Sequence, residues 1–449
     1  MEFKFKAGEK TIHIETTEQK VSGHAGQATF WSFLHGRCDL RKLLARVLPH
    51  QPTSNNHLPP VDIACGFIAG LIAGADRLTR VAWLRGDPVL PEIMAAKRIP
   101  SQSTLSRFLD FFNAPRNLQC FGALWRWTME RAPARREGYT LDLDTSSLLH
   151  EDGHQQGVVV GHTRIGLKPC LQPMLAVLAE AKLCVQFWLR PGNSHCTNNL
   201  VNFTKELLRR LPRHLRLRLI RADSGFQDDA WLALLEARQL PYIVVADLSV
   251  RVKSLLRSVK HWQTTKVEGL EVAEVLYESQ YASRPRRLIL IRRRIDSPHR
   301  GGGKLLLDCP GYKYQVLVTS LSASYTPQQV WFEYNGRANI ENVIKELKDG
   351  FGLGGFCCKS FYATEAALSL AVMTYNLTVL FAQQLGWLTK VTINTLRYRF
   401  FRCAGIISQS QGRTTLRLGI PEELRDWWSG IWEKLLAPVP NCNAVGQAP

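Results

Sequence analysis

The sequence predicts an α/β protein: a mixed sheet flanked by helices, interrupted by a β-rich insertion, with helical regions at both ends. Three observations predict it. Between Gly138 and Ala246, apolar strand-like runs and amphipathic stretches follow the order β-β-β-α-β-α-β. From 247 to 325 come short β-like runs separated by Gly and Pro turns. One long helix is then expected over about 327–349. It opens on Thr326 as N-cap with Pro327 in the first helical position, and Gly350 stops it.

Size and charge narrow the function. A chain of 449 residues can hold two or three domains and a sizeable core. Its 57 Lys+Arg against 38 Asp+Glu give a net charge of +19 and a pI of about 9.6. Arginine-rich stretches at 209–221, 284–294 and 397–402 spread that excess along the chain, which favours DNA or RNA over a membrane surface as partner. The 11 cysteines include no CxxC pair, so neither a zinc ribbon nor a disulfide framework is expected, and a reducing cytoplasm fits. Met1 to Lys6 lacks the apolar core of a signal peptide. Ile63–Ala75 is too short to span a bilayer, and Ala366–Ala382 carries Thr374, Asn376 and Thr378. Both are expected as buried helices of a soluble protein.

Taken in order, Thr11 to Glu15 alternates as a short strand or arm, and 28 to 132 is mostly helical. Ser101 followed by Gln102, Ser103, Ser106 and Arg107 resembles a helix-turn-helix recognition helix as much as an ordinary polar-faced one. Residues 1–135 are therefore expected to form a helical DNA-binding region. Tyr139 to Ser147 opens the sheet, with Leu141 and Leu143 on one face and Asp142 and Asp144 on the other. Acidic residues suit strands poorly, so two on one face need a reason. A helix over 197–211 and a basic strand over 215–220 follow, ending in Arg221-Ala222-Asp223-Ser224-Gly225-Phe226. Asp228-Asp229 cap the helix of about 229–239, and Pro241 to Ala246 is the last strand of this part, 136–246. In the insertion, 247–325, Arg284–Arg294 either lines DNA or forms a basic edge strand that discourages aggregation. The final helix lies in 326–361. Residues 362–449 are expected to be helical, with Trp427 and Trp428 in a core or a dimer contact.

The β-β-β-α-β-α-β order followed by a helix is that of an RNase H-like fold. On the long helix, Arg337, Glu341, Lys345 and Lys348 fall at roughly 300°, 340°, 20° and 320° from Tyr334, all on one face. One carboxylate among three cations and a phenol suits a site where metal and phosphate meet. Incidental i,i+4 pairing on a solvated helix is the plain alternative.

The spacing Tyr334-x2-Arg337-x3-Glu341-x6-Lys348 resembles the Y-R-E-K signature of bacterial insertion-sequence transposases in the DDE, RNase H-like superfamily. Asp142-Leu143-Asp144-Thr145 and Arg221-Ala222-Asp223-Ser224 resemble the other motifs of insertion-sequence group 1380, and the likeness covers roughly 100–360. The resemblance implies that Asp144, Asp223 and Glu341 converge as catalytic ligands of two Mg²⁺ or Mn²⁺ ions, hard cations suited to carboxylate oxygens. Asp144, next to Thr145, is the preferred first ligand, with Asp142 a helper or alternative. Tyr334, Arg337, Lys345 and Lys348 are expected to hold DNA phosphates. The implied activity is cut-and-paste transposition by a homodimer on double-stranded DNA: binding of terminal inverted repeats, cleavage, and joining of 3′-hydroxyls to target DNA. A catalytically silent DNA-binding relative and an RNase H-like structure-specific nuclease are the alternatives. His150 and His154, four apart, are expected to face solvent in preference to ligating a metal. The resemblance implies that Trp262 or Trp331 could stack on an extruded base, but packing in the core is the preferred reading of both.

Overall fold

The computed structural model describes residues 3–50, 57–278, 285–296, 303–306, 310–387 and 391–437. The chain forms two compact units, 1–111 with 350–355 and 380–449, and 112–349 with 356–379. Their boundaries differ from the sequence divisions at 135 and 362: helix Ala114–Arg131 belongs to the second unit, and the first unit joins the two ends of the chain.

The second unit is built on strands β1 (Tyr139–Thr145), β2 (Met174–Leu178), β3 (Leu183–Trp188), β4 (Leu217–Ala222) and β5 (Tyr242–Val245). β1 pairs antiparallel with β2 and β2 with β3, while β4 lies parallel to both β1 and β5. The order β3-β2-β1-β4-β5 is that of an RNase H-like sheet. Tyr139 to Asp144 are all buried, as a strand covered on both faces requires. Helices Leu200–Arg210 and Asp229–Ala237 link the strands, and Asp228 caps the second by accepting from Trp231 N at 2.7 Å.

The insertion extends this sheet. β6 (Leu270–Tyr277), β7 (Arg286–Arg294) and β8 (Tyr312–Thr319) add in the order β5-β8-β7-β6, all antiparallel. The edge-strand expectation for the arginine run therefore does not hold for its described part. β7 is an interior strand, and Arg286 pairs with Asp229 and Glu236, Arg287 with Glu274, and Arg292 with Glu271. Carboxylates distant in sequence neutralise what reads as a basic stripe. Arg284, the Gly301-Gly302 turn and Leu307 lie outside the described residues.

The expected helix over 327–349 is two helices, α1 (Pro327–Asn335) and α2 (Ala338–Phe351). Thr326 does cap α1, in a reciprocal capping box with Gln329. Helix Phe361–Gln384 is long and apolar enough to cross a membrane, and it is mostly buried. Its Asn376 side chain accepts from Cys184 N at 2.9 Å and donates to Cys184 O at 2.7 Å, fastening it to β3. Thr374 and Thr378 return their hydroxyls to carbonyls one turn back, so all three polar side chains are satisfied.

The first unit holds six described helices between Ala28 and Asp110, of which Ala28–Gly36 packs with helix Arg425–Leu436, and Phe30, Phe33, Phe381, Phe400 and Trp428 form an aromatic cluster there. Trp428 is buried and stacked 4.4 Å from Phe400, a core role. The C-terminal region is not all helical: Gly405–Ser410 and Arg413–Leu418 form a hairpin that pairs with Lys20–Ser22. Gln411 and Gly412, both at positive φ, make its two-residue turn.

Candidate active site

Asp144 sits near the end of β1, and Asp223 follows β4, the parallel neighbour of β1. Helix α2 brings Glu341, Lys345 and Lys348 to the same cleft of about 1010 Å³, where Asp144, Asp223 and Arg337 also stand. Strand adjacency thus joins two acids 79 residues apart, and the helix supplies the third side chain.

Arg337 lies at the centre. Its Nη2 is 3.1 Å from Asp144 Oδ1 and 3.5 Å from Asp223 Oδ2, and donates to Leu143 O at 3.1 Å. Burial pushes Asp144 up to about 6; the Arg337 charge opposes this, while Asp223 and, less strongly, Glu341 reinforce it. Arg337 is itself held above its ordinary range: burial pulls it down, and Asp144, Tyr334 and Asp223 more than restore it. Lys348 donates to Ser147 O at 2.9 Å, and burial lowers its pKa. Lys345 is exposed on the rim. Tyr334 stands apart from these. It belongs to α1, packs against the cluster around Ile243 and Trp331, and faces Arg337, with burial raising its pKa to about 12. The single helical face inferred from continuous 3.6-residue periodicity is therefore broken between Tyr334 and the rest.

Asp142 explains the break. It shares the face of Asp144 but is fully buried, and Arg221 donates to both its oxygens, Nε–Oδ1 at 2.7 Å and Nη2–Oδ2 at 2.8 Å. The remaining Nη1 of Arg221 donates to Glu333 O, the carbonyl that Arg337 N would take in an unbroken helix. Arg337 N bonds Tyr334 O instead, at 2.9 Å. Gly336 leaves room for this, since a Cβ there would lie 2.4 Å from Arg221 Nη1. Asp142 is outside the cleft lining; its partner is Arg221.

Sequence reasoning missed the loop at 190–196. Buried Arg190 donates to Gln172 O at 3.1 Å and His195 O at 2.8 Å, and holds Gly192 to Cys196 along the cleft wall. The Pro191-Gly192 turn after β3 was the available signal.

Among the described residues no group of three or more His, Cys, Asp or Glu side chains is drawn close enough together to hold a metal ion. The donor set nonetheless fits a hard divalent cation. Two carboxylates already converge on one cationic nitrogen, Glu341 lines the same cleft, and all the acidic donors are oxygens. Trp262 and Trp331 are both engaged in packing, the first beside Arg292 at 4.5 Å and the second in the core. His154 is exposed. Elsewhere, in the first unit, Gln102, Ser103, Ser106 and Arg107 line a shallow cleft with Arg85, on a helix capped by Ser101.

The model of the family described as Transposase DDE domain group 1 matches residues 5–427. The chain belongs to this family. No curated protein matches the chain. Among solved structures, this transposase is similar to a piggyBac transposase in a synaptic complex with hairpin DNA, at 12% identity and a TM-score of 0.43, over 96% of this chain and 90% of that one.

Proposed function

We propose that this DDE transposase carries out cut-and-paste transposition: as a homodimer it binds terminal inverted repeats, cleaves the DNA at their boundary and joins the freed 3′-hydroxyls to target DNA. The observation that carries this reading is the meeting of Asp144, Asp223 and Glu341 on one cleft that also holds Arg337, Lys345 and Lys348. Asp144, Asp223 and Glu341 would hold Mg²⁺ or Mn²⁺, two ions by analogy with other carboxylate sites for in-line phosphodiester displacement. Bound there, the ions supply activation of the attacking oxygen and charge stabilisation at the leaving one.

The remaining chemistry belongs to the chain. Asp144, whose pKa burial raises to about 6, must be ionised to serve as a ligand. Arg337 neutralises the carboxylates and, with Lys345 and Lys348, offers positive charge to phosphate oxygens, an electrostatic role with no proton transfer. Tyr334, outside the cleft lining, would help orient Arg337 through the hydrogen bond between their side chains. Resemblance to group 1380 and to the Y-R-E-K signature supports the same assignment. The polar face of the Ser101-capped helix is a second DNA contact in this reading.

The test is cleavage of labelled DNA carrying the repeats that border the gene, with Mg²⁺ or EDTA, beside Glu341→Gln. Metal-dependent cutting at the boundary, lost in Glu341→Gln while binding persists, together with joining to a target plasmid, is expected. Cutting without joining makes the protein a nuclease. Tight binding without cutting under any divalent metal leaves a DNA-binding relic.

A further inference from the structure

Beside the acids stands a β-hairpin that the chemistry above leaves unused. Strands Val159–Thr163 and Gly166–Leu171 pair antiparallel, and Leu148–Leu149 adds to the second. The register sets Val160 opposite Pro169 and His162 opposite Leu167, so these four side chains share a face. Val160, His162, Leu167 and the tip residue Ile165 line the same cleft as Asp144, Asp223 and Glu341. Val160, Leu167 and Ile165 are 57%, 62% and 65% exposed. Three large aliphatic side chains held in water beside a charged centre are an unusual use of surface.

The hairpin base is fixed. Gly161 and Gly192 bring their backbones together so closely that a Cβ on Gly161 would lie 1.8 Å from Gly192 O. Gln172 Nε2 donates to His162 O at 2.7 Å, and Leu171 bridges to Pro191. The apolar face is therefore presented on a braced element, with Arg164 at the tip and Lys345 and Lys348 also on the cleft.

We propose that this hairpin is an apolar wall that receives the faces of unstacked bases at a DNA end, while the cations of the cleft hold that end's phosphates. The proposal rests on the transposase reading of the cleft. A ligand suited to these surfaces is anionic along one edge and apolar on its faces, which describes a nucleic acid strand and not a small anion. In an intact duplex base faces are stacked and hidden. Aliphatic side chains meet them where terminal pairs have opened, as apolar wedges do in bent DNA. Lacking donors and acceptors, these side chains read no base edge, so the contact is indifferent to sequence.

The probe is a duplex of the DNA bordering the gene, with 2-aminopurine at its terminal pair, mixed with the full chain in Ca²⁺. The wild type is expected to raise the fluorescence as the pair unstacks. In Ile165→Ser/Leu167→Ser most of that rise is lost, and affinity for a pre-frayed end falls about tenfold, from lost apolar burial. Ile165→Leu keeps the signal. Binding by anisotropy with no rise in the wild type, or an undiminished rise in the double variant, overturns the hairpin proposal and leaves the transposase reading standing. Absence of any DNA binding by the wild type overturns both.

Discussion

The pair Asp142–Arg221 permits a quantitative test of why the second acid of β1 is present. Asp142 is fully buried, and the Arg221 side chain is 5% exposed. Removing one member of a buried pair leaves the other charge uncompensated, at about 3–5 kcal/mol. Arg221→Leu and Asp142→Leu should each destabilise the second unit by that amount, together about 6–10 kcal/mol if independent. The double variant leaves no unpaired charge; its main loss is the donor to Glu333 O, about 1–3 kcal/mol. A coupling of at least about 3 kcal/mol follows. The assay is amide exchange of peptides from β1 and β4 across a urea series, which reads this unit separately. Additive effects would falsify a pairing role for Asp142, and so would singles costing less than about 1 kcal/mol.

Four other outcomes are expected. Asp144, raised from 3.8 to about 6 by burial, favours the fold fully below its unfolded value and loses that contribution as pH rises through about 6. Metal-free protein should therefore lose about 2 kcal/mol between pH 4 and 7 at this site, and Asp144→Asn should flatten the slope in thermal melts in EDTA. Gly336→Ala sets a Cβ against Arg221 Nη1; Mn²⁺ affinity measured by electron paramagnetic resonance should drop about tenfold or more, as for other changes behind metal ligands, and unchanged affinity would disprove the helix break as a positioning device. Lys345→Ala should lower the salt slope of DNA binding by about 1, whereas Arg287→Ala, paired with Glu274, should reduce stability and leave the slope alone. Asp223→Asn should abolish cleavage while retaining the fold, checked by circular dichroism beside the cleavage gel.

Much of the architecture was readable from periodicity. The RNase H-like strand order follows from alternation and helix caps that act locally, such as Asp228 and Thr326. The convergence of Asp144, Asp223 and Glu341 on one cleft follows from that strand order. What stayed hidden depends on partners remote in the chain. No local signal tells that Arg221 takes the carbonyl of Glu333, so the helix break and the separate setting of Tyr334 were illegible. The arginines of β7 look like a nucleic-acid stripe until Glu236, Glu271 and Glu274 stand beside them. The hairpin at 405–418 was missed although Gln411-Gly412 between alternating runs is a fair turn signal; the helical texture before it obscured the change of period.

Arg337 has a consequence for how such a protein can be made and kept. Carboxylates gathered for a divalent ion repel each other, and many small metal-binding domains stay unfolded until the ion arrives. Here a tethered guanidinium reaches two of the three, 3.1 Å and 3.5 Å from their oxygens. The counter-charge is synthesised with the chain. On the proposed metal-dependent reading, assembly of the fold would thereby be uncoupled from ion supply: an ion would enter a finished scaffold and leave it without dismantling the sheet.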